Sequence, residues 1–173
     1  FPAQFEHKEV CAIEHAYARL ARQCGINTPD TAYFDLDKKL SAFGVARFDR
    51  KQEKRIPVQT LASLLHTNFR MPGALSYREL LRATRAVTRD ERDVRQAYLR
   101  CVFNVVFHNR DDHPKNFSYL LNQRSAWELA PAYDITFCEG PGGEHQMDVC
   151  GEGRRQAKRH LLQLAQENAI PKE

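Results

Sequence analysis

No stretch of this 173-residue sequence approaches the roughly 20 consecutive apolar residues that a membrane-spanning helix requires. No secretory leader pattern opens it either. The five cysteines, Cys11, Cys24, Cys101, Cys138 and Cys150, are odd in number and contain no C-x-x-C pair. Zinc knuckles and a closed disulfide framework are therefore poorly supported. Several of these thiols fall in apolar helical patterns, where a reduced cysteine acts as a small hydrophobe, so a cytoplasmic setting is expected. Internal repeats and low-complexity tracts are absent, which argues against solenoids and linkers. The excess of one sign of charge is also mild: the net of +4 suits an anionic ligand without calling for a nucleic-acid surface. Methionine is missing from the first position, and Phe1-Pro2-Ala3 reads as the end of a strand entered from upstream. The chain is expected to be a piece of a larger protein.

The hydrophobic fraction of 42% and charged fraction of 28% fit a globular domain with a real core. Val10, Ile13, Tyr17, Leu20 and Ala21 recur at three- and four-residue steps, predicting a helix over 9–24 that Gly25 stops. Alternation over 31–36 and a return over 40–48 predict a hairpin, followed by the charged stretch 49–55. A short helix after Pro57 is expected through Leu61, Leu64 and Leu65. Ser76 with Glu79 forms a capping-box signature. A second long helix starts at Asp90, and its second half, 101–107, is apolar on most sides and should be buried. Two short strands, 117–121 and 127–129, then an irregular segment over 131–143, precede a basic amphipathic helix over about 154–169. Helices and strands are segregated, so the fold class is α+β.

The informative segment is Asn109-Arg110-Asp111-Asp112-His113-Pro114-Lys115-Asn116, followed later by Tyr133-Asp134. Asp111 and Asn116 have the spacing of the protein-kinase catalytic loop, H-R-D-x-x-x-x-N. A loop leaving a buried helix holds an aspartate at a cleft rim, and the returning chain brings an amide oxygen to the same place. A further acid, Asp134, follows a hairpin. Mg²⁺ accepts hard oxygen ligands and few protein contacts, which Asn116 and Asp134 would satisfy. Asp111 would remain for the substrate hydroxyl and Lys115 for charge on the transferred phosphoryl group. The bland readings weigh against each residue taken singly. Asp-Asp-His is ordinary turn chemistry, Asn109 suits a helix C-cap, Asp134 a helix cap, His113 a loop hydrogen bond, and Lys115 a solvated charge.

Taken together, 109–118 and Leu129-Ala130-Pro131-Ala132-Tyr133-Asp134 resemble the HipA family signatures N-x-D-D-H-x-K-N-F-S and L-x-P-x-Y-D. Arg47-Phe48-Asp49-Arg50 resembles the family's R-F-D-R, and Gly25-Ile26 with Pro29 its G-I-x-x-P. The resemblance implies a two-lobed, protein-kinase-like fold, with 1–50 a remnant of the nucleotide-binding lobe and 51–173 a C-terminally truncated helical catalytic lobe. It implies ATP- and Mg-dependent phosphorylation of protein serine or threonine, with Asp111 catalytic, His113 near the phosphates, and Asn116 and Asp134 as magnesium ligands. Val45, Ala46 and Phe48 match the hinge that meets adenine, Asp49 follows it, and Glu14 matches the acid on the helix beside the nucleotide. Family toxins are known to phosphorylate aminoacyl-tRNA synthetases and to be partnered by a small DNA-binding antitoxin. The family's ATP-binding lysine would fall just before Phe1, so phosphotransfer by these residues alone is expected to be poor or absent.

Three other readings stand beside this one. His108, Asp111, Asp112 and His113 would serve a metal-dependent phosphodiesterase or nuclease if they converged. Arg154, Arg155, Lys158 and Arg159 would serve a non-catalytic module that docks nucleic acid or an acidic partner. A small-molecule phosphotransferase of the aminoglycoside type shares the D-x-x-x-x-N logic.

Overall fold

The computed structural model describes residue 7 and residues 9–171, so the reading of residues 1–3 as a strand end lies outside the described part. Helix α1 runs Glu9–Gln23 and buries Ala18 and Ala21. Gly25 ends it in the left-handed conformation (φ +79°), which lets the Ile26 amide bond back to the Ala21 carbonyl at 3.0 Å. Strands β1 (Thr31–Asp35) and β2 (Ser41–Val45) pair antiparallel with Thr31 opposite Val45. The Asp37 carboxylate closes their turn by accepting from the Lys39 and Leu40 amides at 2.6 and 2.9 Å. The second strand is shorter than the expected 40–48. After Val45 the Ala46 amide turns to the Asp30 carbonyl (2.8 Å) and the chain leaves the ladder.

The charged stretch hides two strands, β3 (Arg50–Lys51) and β4 (Lys54–Arg55), paired with each other. Strand β5 (Val58–Thr60) was also not foreseen. It pairs with β6 (Ser118–Leu121), which pairs with β7 (Trp127–Leu129), giving a three-stranded antiparallel sheet of order β5-β6-β7. Thr60 caps the short α2 (Leu61–Leu64).

Helix α3 (Tyr77–Thr88) opens on the expected capping box. Ser76 accepts from the Glu79 amide, and Glu79 accepts from the Ser76 amide at 2.7 Å. Helix α4 (Glu91–Val106) starts at Asp90, whose carboxylate accepts from the Arg92 amide. Its second half is not buried all round: Cys101, Phe103 and Asn104 face inward, and Val106 is 56% exposed. Helix α5 (Lys158–Glu167) begins later than expected because the Glu152 carboxylate collects the Arg154 and Arg155 amides into a turn.

The main core joins α3, α4, α5 and the three-stranded sheet through Leu61, Tyr77, Leu80, Leu81, Val94, Ala97, Tyr119 and Leu164. A fully buried leucine contributes about 1.5–3 kcal/mol by leaving water. A second cluster of Ala21, Ile26, Phe103 and Ala132 ties α1 to α4 and to the segment that carries Asp134.

Candidate active site

Helix α4 delivers the loop, and the end of the helix is where the chain changes direction. Phe107 closes the last turn and His108 takes a left-handed conformation (φ +54°). Asn109 is not the helix cap. It is buried two residues past it, with its amide on the Asn104 carbonyl and its side chain on Asn104 Oδ1, both at 3.0 Å. A bridge to Cys138 then fixes the strand-like passage through Asn109.

Asp111 and Asp112 diverge. The Asp112 side chain is fully buried and accepts from Tyr77 Oη (2.6 Å), His145 Nδ1 (2.7 Å) and the Gln146 amide (2.8 Å). Asn104 Nδ2 donates to Tyr77 Oη, so one network joins α3, α4, the loop and 145–146. Burial and the Asp112 carboxylate push the Tyr77 phenol well above its ordinary range. Asp111, by contrast, is 47% exposed, with His113 Nε2 at 3.8 Å from its Oδ1.

Pro114–Asn116 forms a 3-10 turn that folds the chain back. This brings Asn116 Nδ2 to the Asp111 carbonyl at 2.8 Å. The Asn116 side chain also lies close enough to the Asp134 carboxylate to lower its proton affinity. Asp134 has a left-handed backbone (φ +55°) and lies at an exposed position. Its carboxyl is nevertheless raised above the usual carboxylate range, chiefly by the desolvating cleft walls and next by the charge of Asp111. Residues 111, 116 and 134 therefore interact with one another.

Tyr133 supports this arrangement in a way sequence reasoning had not assigned. Its hydroxyl donates to the Lys115 carbonyl (2.7 Å) and meets Ser118 Oγ at 2.5 Å, and its ring stacks on Phe48 at 5.5 Å. Behind it, the guanidinium of Arg100, a residue only 3% exposed, donates to the Ala130 carbonyl at 2.6 Å. Desolvation pushes that guanidinium down to about 10.

A cleft of ≈ 370 Å³ opens beside Asp134, lined by Glu14, Phe43, Val45, Ala46, Phe48 and Asp49 together with Tyr133. All five residues expected at a nucleotide lie on this one wall. Asp49 is held in a two-point pair by Arg47, Nε at 2.8 Å and Nη2 at 2.5 Å, which keeps its carboxyl below the usual range. Lys115 Nζ lies 3.5 Å from the centroid of the Phe69 ring. His113 Nδ1 is buried with no hydrogen-bond partner among the described residues.

The four residues of the phosphodiesterase reading do not converge. Asp112 belongs to the buried network and His108 faces Arg110. Among the described residues, no group of three or more His, Cys, Asp and Glu side chains is arranged to hold a metal ion. The basic run is also divided: Arg154 pairs with Glu144 at 3.2 Å, and only Lys158 and Arg159 belong to α5.

Fold and loop together define a kinase-like class of protein. The solved HipA of Shewanella oneidensis, in complex with HipB and operator DNA, superposes with a TM-score of 0.79 at 19% identity over 99% of this chain and 45% of that one. The proinflammatory kinase CtkA of Helicobacter pylori superposes with a TM-score of 0.64 at 14% identity, over 94% of this chain and 72% of its own. The chain belongs to the family described as the HipA-like C-terminal domain, whose family model matches residues 1–173. Curated relatives include a provisionally named kinase of Haemophilus influenzae, 27% identical over 147 residues, and the provisionally named kinase Y4dM of Sinorhizobium fredii, 28% identical over 154. The matches take in 78% of this chain in both cases, but 43% and 35% of the relatives' own lengths. The chain thus corresponds to less than half of either relative.

Proposed function

We propose that this chain carries the catalytic core of an ATP- and magnesium-dependent kinase that phosphorylates serine or threonine on a protein. The observation that carries the reading is the electrostatic coupling of Asp111 and Asn116 to Asp134, the carboxylate that lines the ≈ 370 Å³ cleft. In this reading residues 1–50 belong to the nucleotide lobe and residues 51–173 to the catalytic lobe. Adenine lies against Val45, Ala46 and Phe48. Because the Ala46 amide already serves Asp30, the base edge meets the Ala46 carbonyl or the amides that follow. Asp49 and Glu14 line the same wall.

The donor set fits magnesium, because a carboxylate with an amide oxygen leaves positions for water and phosphate. The charge of Asp111, the second cause of the raised proton affinity of Asp134, supports this fit, since two neighbouring carboxylates favour a cation between them. When bound, the ion would neutralise charge on the phosphate oxygens. Asp111 accepts or orients the proton of the acceptor hydroxyl. Lys115 supplies positive charge at the transferred phosphoryl group, and His113 lies beside Asp111 near the phosphates. A second cleft of ≈ 430 Å³, lined by His108, Arg110, Phe137 and Gly140, adjoins the loop and gives a protein acceptor access.

By analogy with the HipA complex, a small DNA-binding protein is the expected partner. An aminoacyl-tRNA synthetase is the substrate to try first. The test is transfer of labelled phosphate from ATP to protein by the intact protein, with and without a magnesium chelator. Transfer that depends on magnesium and is lost in Asp111→Asn and in Asp134→Asn supports the reading. Transfer retained in either variant overturns the role assignments.

A further inference from the structure

Phe69 lies in the irregular passage between α2 and α3, outside every motif of the site. That passage is an ordered turn. His66 adopts φ +50°, the Thr67 amide bonds to the Ala62 carbonyl at 2.9 Å, and Asn68 accepts from the Arg70 amide at 3.2 Å and the Met71 amide at 3.1 Å. The turn places one aromatic ring against two catalytic-loop side chains. The Lys115 ammonium lies 3.5 Å from the ring centroid, and the His113 ring meets Phe69 edge-on at 5.8 Å and 67°. The Arg70 guanidinium adds a second cation, 5.2 Å from the same centroid.

These contacts bear on chemistry because of what each partner lacks. Lysine carries a flexible four-carbon stem, and among the described residues no carboxylate within ion-pair distance fixes the Lys115 ammonium. An aromatic face attracts the ammonium through its quadrupole without neutralising it. The cation is thereby held and still has its full charge for phosphate. His113 has one buried ring nitrogen without a partner, so packing rather than hydrogen bonding on that side orients the imidazole that faces Asp111.

We propose that Phe69 is a positioning residue for phosphoryl transfer, holding Lys115 over the reaction site with its face and seating His113 through a T-shaped ring contact. This rests on the kinase reading above. The experiment uses the intact protein and four variants: Phe69→Leu, Phe69→Tyr, Lys115→Met and the Leu–Met double. Phe69→Leu keeps an apolar side chain and removes the ring. It is expected to lower kcat about tenfold, equivalent to about 1.4 kcal/mol, with KM for Mg-ATP within about twofold. Phe69→Tyr is expected to restore most of the rate, and Phe69→Leu to lower kcat by a smaller factor in the Lys115→Met background than in the unaltered protein, the remainder acting through His113. The Lys115 ε-methylene protons should show an upfield ring-current displacement by NMR that Phe69→Leu abolishes and Phe69→Tyr retains.

Three results overturn the proposal alone: full kcat in Phe69→Leu, failure of Phe69→Tyr to rescue, or losses from Phe69→Leu and Lys115→Met that multiply. The absence of phosphotransfer by the unaltered protein is a different failure, which removes the kinase reading and this inference together.

Discussion

Asp111 and Asp112 are chain neighbours whose carboxylates go to opposite environments, one half-exposed and the other fully buried. The buried one holds Tyr77, His145 and the Gln146 amide in a single network. On the kinase reading proposed above, the pair divides function from stability. Asp112→Ala leaves two buried donors and one half-buried amide without an acceptor and should cost about 3–5 kcal/mol, the range for breaking a buried charged network. Asp111→Asn, at an exposed site, should stay within about 0.5 kcal/mol of the parent while abolishing phosphotransfer. Urea denaturation of both variants beside a transfer assay checks the division. A large stability loss in Asp111→Asn would contradict it.

Asp134 makes the site pH-dependent, and the sign can be derived from its raised proton affinity. The folded state holds the Asp134 proton above the ordinary carboxyl value of 3.8, so between that value and the raised one it binds more protons than the unfolded chain. Stability attributable to this group must fall as pH rises through that window and level off above it. Asp134→Asn removes the charge and suits the left-handed backbone, which asparagine tolerates well. The melting-temperature difference, variant minus parent, should be smallest near pH 4 and grow toward neutral pH. Magnesium should stabilise the parent more than the variant. Parallel melting curves across pH would contradict the assignment.

How far the sequence revealed this arrangement differs from element to element. Helix α3 was legible because its cap is local: Ser76 and Glu79 are three residues apart and satisfy each other's amides. The loop was legible because its residues lie close together in the chain. Strands β3 and β4 were not, because two-residue strands of Arg and Lys carry no alternation. Strand β5 exists by virtue of its pairing with β6, some sixty residues on. Tyr77, His145 and Phe69 were missed for the same reason. Their roles arise from contacts with a loop that is distant in sequence, and an isolated tyrosine, histidine or phenylalanine gives no local sign of such a contact.

Gly140 lies where the segment after Asp134 crosses the loop over 109–116. Its φ is +71°, and a β-carbon there would stand 2.2 Å from the Glu144 carbonyl oxygen and 2.7 Å from Arg110 Cβ. Neither neighbour is the far end of a flexible side chain, so the backbone itself must shift. Gly140→Ala should cost about 2–4 kcal/mol, combining left-handed strain with overpacking. Gly143 has a similar φ of +76° and nothing within 4 Å. Gly143→Ala should therefore cost only the strain, about 1–2 kcal/mol. Denaturant midpoints of the two variants decide the matter, and equal losses would mean the close crossing at Gly140 is not what limits substitution there.

Tyr133 provides the most direct test of how the metal-binding carboxylate proposed here is supported. Its hydroxyl donates to the Lys115 carbonyl, so the hydrogen it shares with Ser118 must come from the serine. Tyr133→Phe keeps the ring on Phe48 and removes only this junction, leaving a loop carbonyl and a buried serine hydroxyl without their partner. The loss should be about 1–3 kcal/mol. Ser118→Ala should cost less, because Tyr133 retains the Lys115 carbonyl. The two changes break the same contact, so the double variant should lose at least about 0.5 kcal/mol less than the sum of the singles. Phosphotransfer should fall in Tyr133→Phe more than in Ser118→Ala, since only the former frees the loop from the residue next to Asp134. Strict additivity of the stability losses, or full activity in Tyr133→Phe, would show that Asp134 is held by its own backbone conformation and not through Tyr133.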